Sequence, residues 1–212
     1  MKSGKTFLIA LFSFFYVSLT AQIFVGGNIG FHTSGGSFYN GTITTDKPTT
    51  YNFNVSPKVG KFLYEKLAVG AALDISFAGS KTPGNTEIIS KTSTVGLVPF
   101  LRYYAIKLNK FSVFGQGNLG LIFSNSTRKE GGVLTDEPKT TMLYLNIFPG
   151  LAYDLSDKLS LETSLNFLSF GYYNTTTKNG SSRDKTSNFD LRAGLDNIVT
   201  VGNITIGAIY KF

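Results

Sequence analysis

The chain has 212 residues, with 20 Lys and Arg against 13 Asp and Glu, a formal charge of +7, no Cys, no Trp and a single His. Without thiols there is no disulfide framework and no thiolate metal site, and one imidazole is too few for a histidine metal centre. The basic excess is spread over turns and loops and forms no stripe, so nucleic acid is not an expected partner.

Residues 1–21 are predicted to be a secretory signal peptide. Lys2 and Lys5 make a basic head, Phe7 to Leu19 is nearly unbroken in its apolar character, and Ala21 offers a small residue for cleavage before Gln22. A membrane anchor is the competing possibility, but the run is too short to span and no stop-transfer pattern follows. No Cys lies near the cleavage point, so no lipoprotein is expected. Cleavage leaves residues 22–212, a single domain by size, and lowers the formal charge to +5 because Lys2 and Lys5 leave.

The rest of the chain reads as eight strands, near 23–33, 51–62, 67–78, 93–105, 111–123, 141–154, 159–172 and 198–212. Ile23, Val25, Ile29 and Phe31 share one face of the first, and Gly26, Asn28 and Gly30 the other. The third sets Leu67, Val69, Ala71, Leu73, Ile75 and Phe77 against Ala68, Gly70, Ala72, Asp74 and Ser76. The seventh sets Leu159, Leu161, Leu165 and Phe167 against Ser160, Glu162, Ser164 and Asn166. Period-two alternation sustained this long specifies strand. In the last strand Ile204, Ile206, Ala208, Tyr210 and Phe212 alternate to the final residue.

Short turns near 63–66, 106–110 and 155–158 alternate with long polar connections near 34–50, 79–92, 124–140 and 173–188. Three segments repeat one pattern, a proline in a descending strand, a short turn and a Lys-led ascending strand. The prolines, Pro57, Pro99 and Pro149, lie 42 and 50 residues apart and all fall on the apolar face. A proline in a paired strand removes a ladder bond, so bulges are expected there. Residues 187–200, with Phe189, Leu191, Ala193 and Leu195 alternating, either extend the last strand or stand apart from it.

A soluble sandwich also alternates, but its polar face meets water and carries many Lys and Glu. Here that face is mostly Gly, Ala, Ser and Asn, and the charges collect in loops. The predicted fold is therefore all-β: an eight-stranded, antiparallel, up-and-down transmembrane β-barrel, apolar outside and filled with small polar groups inside. Lipid offers no hydrogen bonds, so such a sheet must close. Tyr64, Tyr103, Tyr153 and Tyr210 are placed at the short-turn edge of the apolar band, and Phe77, Phe123 and Phe167 at the opposite edge, as interfacial aromatic belts.

The chain resembles the small outer-membrane β-barrel domain proteins of Gram-negative bacteria, the porin-family and OmpX-like eight-stranded barrels. The residues that carry the resemblance are Val98-Pro99-Phe100-Leu101-Arg102-Tyr103-Tyr104, Phe111-Ser112-Val113-Phe114-Gly115, Phe148-Pro149-Gly150-Leu151-Ala152-Tyr153 and Gly207-Ala208-Ile209-Tyr210-Lys211-Phe212. The resemblance implies an integral outer-membrane location and contact with outer-membrane lipid and lipopolysaccharide. It also implies handling by the barrel-assembly machinery, with Tyr210 and Phe212 as the terminal assembly signal. It implies no activity.

No residue set spells out chemistry. Gly115-Gln116-Gly117-Asn118-Leu119-Gly120 matches a dinucleotide fingerprint by letter, with Asp136 at a suitable distance. That fingerprint needs a helix after the glycines, and Leu121-Ile122-Phe123 continues a strand. His32, near Ser34 and Ser37 at the end of the first strand, has no orienting partner in the sequence. No catalytic, cofactor or metal residues are assigned, and Asn40-Gly-Thr42 and Asn174-Thr-Thr176 are taken as loop composition.

One constellation remains. Lys58, Asp74, Arg102 and Glu162 all fall on inward faces, and Lys58, Arg102 and Glu162 lie at similar depth counted from the short turns. Buried charges need partners. A lumen ion-pair network is expected, with a selectivity cluster as the sharper alternative. The expected role is structural or surface-interacting, with four long loops displayed outside. A conduit for small or hydrophobic solutes is the second possibility, and a lipid-modifying enzyme the third.

Overall fold

The computed structural model describes residues 22–84, 86–165, 168–193 and 204–212. The predicted signal peptide, Phe167 of the belt, and Leu195 lie outside the described residues.

The strands are β1 (Ile23–Ser34), β2 (Ser37–Tyr39), β3 (Thr44–Asp46), β4 (Thr49–Tyr64), β5 (Leu67–Thr82), β6 (Ile88–Leu108), β7 (Phe111–Glu130), β8 (Val133–Asp136), β9 (Lys139–Asp154), β10 (Leu159–Leu165), β11 (Leu168–Asn179), β12 (Ser182–Ala193) and β13 (Ile204–Lys211). Antiparallel ladders join β1, β4, β5, β6, β7, β9, β10 and β13 in that order, and β13 pairs back onto β1. The sheet is an eight-stranded antiparallel barrel. β11 continues the β10 position along β9, and β12 pairs with β11.

The closure is staggered. Lys211 donates its backbone N–H to the Lys158 carbonyl and pairs with Phe24. From Phe24 the ladder partners run Gly60, Gly70, Phe100, Asn118, Asn146 and Gly171. The path leaves the seventh wall position at Lys158 and returns to it at Gly171, 13 residues further along. Such a stagger tilts the strands and fixes the bore. It includes one irregularity. Between the β10 and β11 ladders the register on β9 moves by three residues, since Ser160 faces Asp154 but Phe170 faces Ile147. On the other side it moves by eight, since Leu165 faces Ile204 but Leu168 faces Ala193. β12 and β13 are thus not one uninterrupted ladder.

The prolines do not break register. The β4–β5 and β6–β7 ladders shift instead at Phe62/Tyr64 and Tyr104/Ile106, beside the short turns. Each proline faces a small residue on its neighbour: Pro57 faces Gly27, Pro99 faces Ala71 and Pro149 faces Gly115. A partner without bulk lets the strands sit close despite the ring. The expected bulges at the prolines are therefore corrected.

Most of the long connections are strand as well. β6 runs for 21 residues and β7 for 20. About ten tilted residues cross a bilayer, so these hairpins continue well past one. The β11–β12 ribbon turns through Gly180, whose φ of 56° is a left-handed value that glycine accepts at no steric cost. The stretch between β1 and β4 carries the small β2–β3 hairpin. The expected long loops are thus largely paired ribbons, because above a membrane the outward positions no longer need to be apolar and the alternation fades from the sequence.

Apolar side chains point out of the barrel. Ile29 and Phe31 are 69% exposed, Leu119 51% and Leu73 47%, all on strand positions that alternate with buried or half-buried ones.

Candidate functional site

The inward face is where polar chemistry gathers. Arg102 on β6 is 1% exposed and bonds three strands together. Its Nε and Nη2 donate to Gln116 Oε1 at 2.8 and 2.6 Å on β7. Its Nη1 and Nη2 donate to Glu162 Oε2 and Oε1 at 2.7 and 3.4 Å on β10. Nη1 also reaches the Tyr104 hydroxyl at 3.2 Å. Gln116 passes the network on, its Nε2 donating to Asn118 Oδ1 at 2.8 Å. Lys58 on β4 pairs with Glu162 Oε1 from the other side. The planar fork of Arg suits this bidentate arrangement, and its flat face lies 4.1 Å from the Phe114 ring centre.

The structure thus brings Lys58, Arg102 and Glu162 together. Asp74 stands outside this triad but lines the same cavity. With Asp74 counted, two basic and two acidic side chains line the chamber, a balance that burial of charge favours. The chamber holds about 260 Å³, bounded by Asn28, Ser56, Asn118 and Ser164 besides the four charged groups.

Apolar side chains cluster on either side of it. Toward the short turns, Phe24, Phe62, Phe100, Tyr104 and Phe114 form a chain of rings with centroids 5.5–6.3 Å apart. Toward the ribbons, Val98, Ile122 and Tyr144 pack together with Ala72, Met142 and Tyr173. Below the ring layer a wider vestibule of about 570 Å³ opens among Phe62, Tyr104, Lys66, Lys107, Asp154 and Lys211. Asp154 there receives Lys211 Nζ at 2.8 Å and the Ser160 hydroxyl.

These inward rings are absent from the sequence expectation of small polar filling. The sequence does carry a signal for them. Phe24↔Gly60, Phe100↔Gly70, Phe114↔Gly150 and Tyr144↔Gly120 are all direct cross-strand pairs. A Cβ at each of these glycines would collide with the ring opposite. Glycine is where a ring lies across the neighbouring strand, a device that also shields the glycine backbone. Gly120 is the last glycine of the dinucleotide-like run, and that whole run is part of β7.

His32 is exposed on β1 and faces Asn52 across the ladder, while Ser34 bonds the Thr50 hydroxyl at 2.6 Å. Among the described residues no three His, Asp or Glu groups come together to hold a metal. Tyr210 and Phe212 meet edge to face at the end of β13, 5.2 Å between centroids.

No protein-family model and no curated protein matches the chain. Solved structures do. A major outer membrane protein from Thermus thermophilus is 17% identical, over 91% of this chain and 100% of that one, with a TM-score of 0.46. OprG from Pseudomonas aeruginosa is 16% identical over 91% and 95%, with a TM-score of 0.49. Neisserial surface protein A is 14% identical over 91% and 99%, with a TM-score of 0.41. The chain's own ladders close an eight-stranded antiparallel β-barrel with apolar side chains outward. The solved structures are likenesses of fold, and the eight-strand closure stands on the ladders themselves.

Proposed function

We propose that this protein is an integral outer-membrane β-barrel whose task is structural or surface-interacting, and that its lumen does not conduct. The observation that carries the second half is the layered filling. A hydrogen-bonded chamber of two basic and two acidic side chains lies between two apolar clusters, the lower made of five rings. Eight strands leave just enough room for side chains to fill the bore, and here the rings and the charge cluster leave only separate spaces of about 260 and 570 Å³. The first half rests on the reversed polarity of the wall, since a closed barrel with apolar side chains outside is stable in hydrocarbon and a poor solute in water. The paired ribbons then stand beyond the membrane as rigid arms, which suits display better than four slack loops would.

Within this reading, outer-membrane lipid and lipopolysaccharide are the lateral partners, and the barrel-assembly machinery is met during biogenesis through the Tyr210–Phe212 end. The direct test is conductance of the purified barrel in a planar bilayer. No steady current is expected. A stable open channel, abolished by Arg102→Glu, would replace this reading with the conduit.

A further inference from the structure

The outward rows of five strands end in one shared pattern at the ribbon side. On β5 the outward positions run Phe77, Gly79, Lys81, on β6 Val95, Ser93, Lys91, and on β9 Leu143, Thr141, Lys139. In each, an apolar residue is followed by one small residue and then Lys, although on β6 the apolar Ile89 lies beyond Lys91 in the same row. β7 and β11 insert one further polar position: Phe123, Asn125, Thr127, Lys129 and Tyr172, Asn174, Thr176, Lys178. All five lysines are exposed. Four to six residues past the apolar edge is about 13–20 Å along a strand, or about 9–14 Å along the membrane normal at a tilt near 45°. That puts the lysine backbones just beyond a headgroup layer about 5–8 Å thick, where the long side chains can reach back to the headgroups.

The lysines also crowd one another. Lys139 and Lys178 are direct ladder partners. Lys81 and Lys129 flank Ile89 in one row, and Lys91 lies diagonal to both. Like charges facing across a ladder are destabilising, and an anion seated between them would relieve that repulsion. Lys81 has one in Glu87, at 2.6 Å. Among the described residues, Lys91, Lys129, Lys139 and Lys178 have no carboxylate within ion-pair distance.

We propose that Lys91, Lys129, Lys139 and Lys178 form a basic collar that binds the phosphate groups of the glycolipid headgroups in the leaflet around the ribbon end of the barrel. The proposal rests on the outer-membrane reading above and adds to it a named surface and a ligand chemistry. Snorkelling lysine stems would lie along the wall with their ammonium groups at phosphate level. Each phosphate between two lysines removes a repulsion and gains two attractions, in a region where charge is only partly screened.

The test is lipid retention by native mass spectrometry of the processed chain in mixed micelles. The probes are lipid A with two phosphates and the same lipid A dephosphorylated. The wild type is expected to hold the phosphorylated form preferentially, less so at high salt. The fourfold Lys→Gln variant at 91, 129, 139 and 178 is expected to bind it at least tenfold more weakly, since one lysine near an anionic surface is worth about fivefold. Lys110→Gln with Lys158→Gln, at the opposite rim, should change nothing. Inorganic phosphate at the same concentration should not displace the lipid. Equal retention by wild type and collar variant, loss of the preference for phosphate, or displacement by free phosphate would each overturn the proposal. Heat-modifiable migration reports that the variant is folded. Failure of the wild type to insert into phosphatidylcholine vesicles would instead strike the underlying function.

Discussion

Arg102 shows how one side chain can hold a barrel together. It has 1% of its surface exposed and donates to Gln116, Glu162 and Tyr104, drawing β7 and β10 onto β6. Its charge is tolerable only because Glu162 faces it, and Glu162 also serves Lys58. Glu162→Gln removes the anion that Lys58 and Arg102 share and breaks both ion pairs. The expected cost is about 3–5 kcal/mol, the size seen when one partner of a buried pair is lost. Urea titration of the barrel in lipid vesicles measures it, and a midpoint unchanged from wild type would mean that the triad holds nothing. This cluster is legible because period two assigns a face and the short turns give a common origin for counting depth. Lys58, Arg102 and Glu162 fall out of that count. Gln116, Asn118 and Tyr104 do not, since a neutral amide or phenol at an inward position has no reason in sequence to be singled out.

At the scale of the element, each strand obeys two rules that change along its length. Within the bilayer the outward positions must be apolar, and Leu119 on β7 and Leu73 on β5 meet that demand. Beyond it, Asn125 and Thr127 take the same outward row. The ladder continues without a break from Phe123 through Asn125 and on to Lys129, but the sequence signal stops at Phe123. That is why periodicity ends the strands short and makes the ribbons look like loops. The interior rings escape it for a related reason. Periodicity says that Phe114 points inward, but only the register reveals that Gly150 stands opposite to receive it. Leu119→Lys tests the first rule. If this position lies near the midplane, it should weaken folding into vesicles by about 2–4 kcal/mol, while Asn125→Lys should cost little. Equal effects at the two positions would remove the distinction between band and ribbon.

At the scale of the molecule, the barrel is a soluble domain turned inside out. Phe24, Arg102 and Phe114 share its interior, and Leu73, Leu119 and Ile29 its exterior. The chain has no native Cys, so single cysteines can be placed without background. The decisive measurement is a fluorophore scan along β5 from Leu67 to Phe77 in vesicles, with quenching by lipids brominated in their acyl chains. Labels at Leu67, Val69, Ala71, Leu73, Ile75 and Phe77 should be quenched, and labels at Ala72, Asp74 and Ser76, beside or beyond the inner chamber, spared. A scan without alternation, or one in which the odd-numbered positions respond only to a water-soluble quencher, would contradict an apolar wall facing lipid.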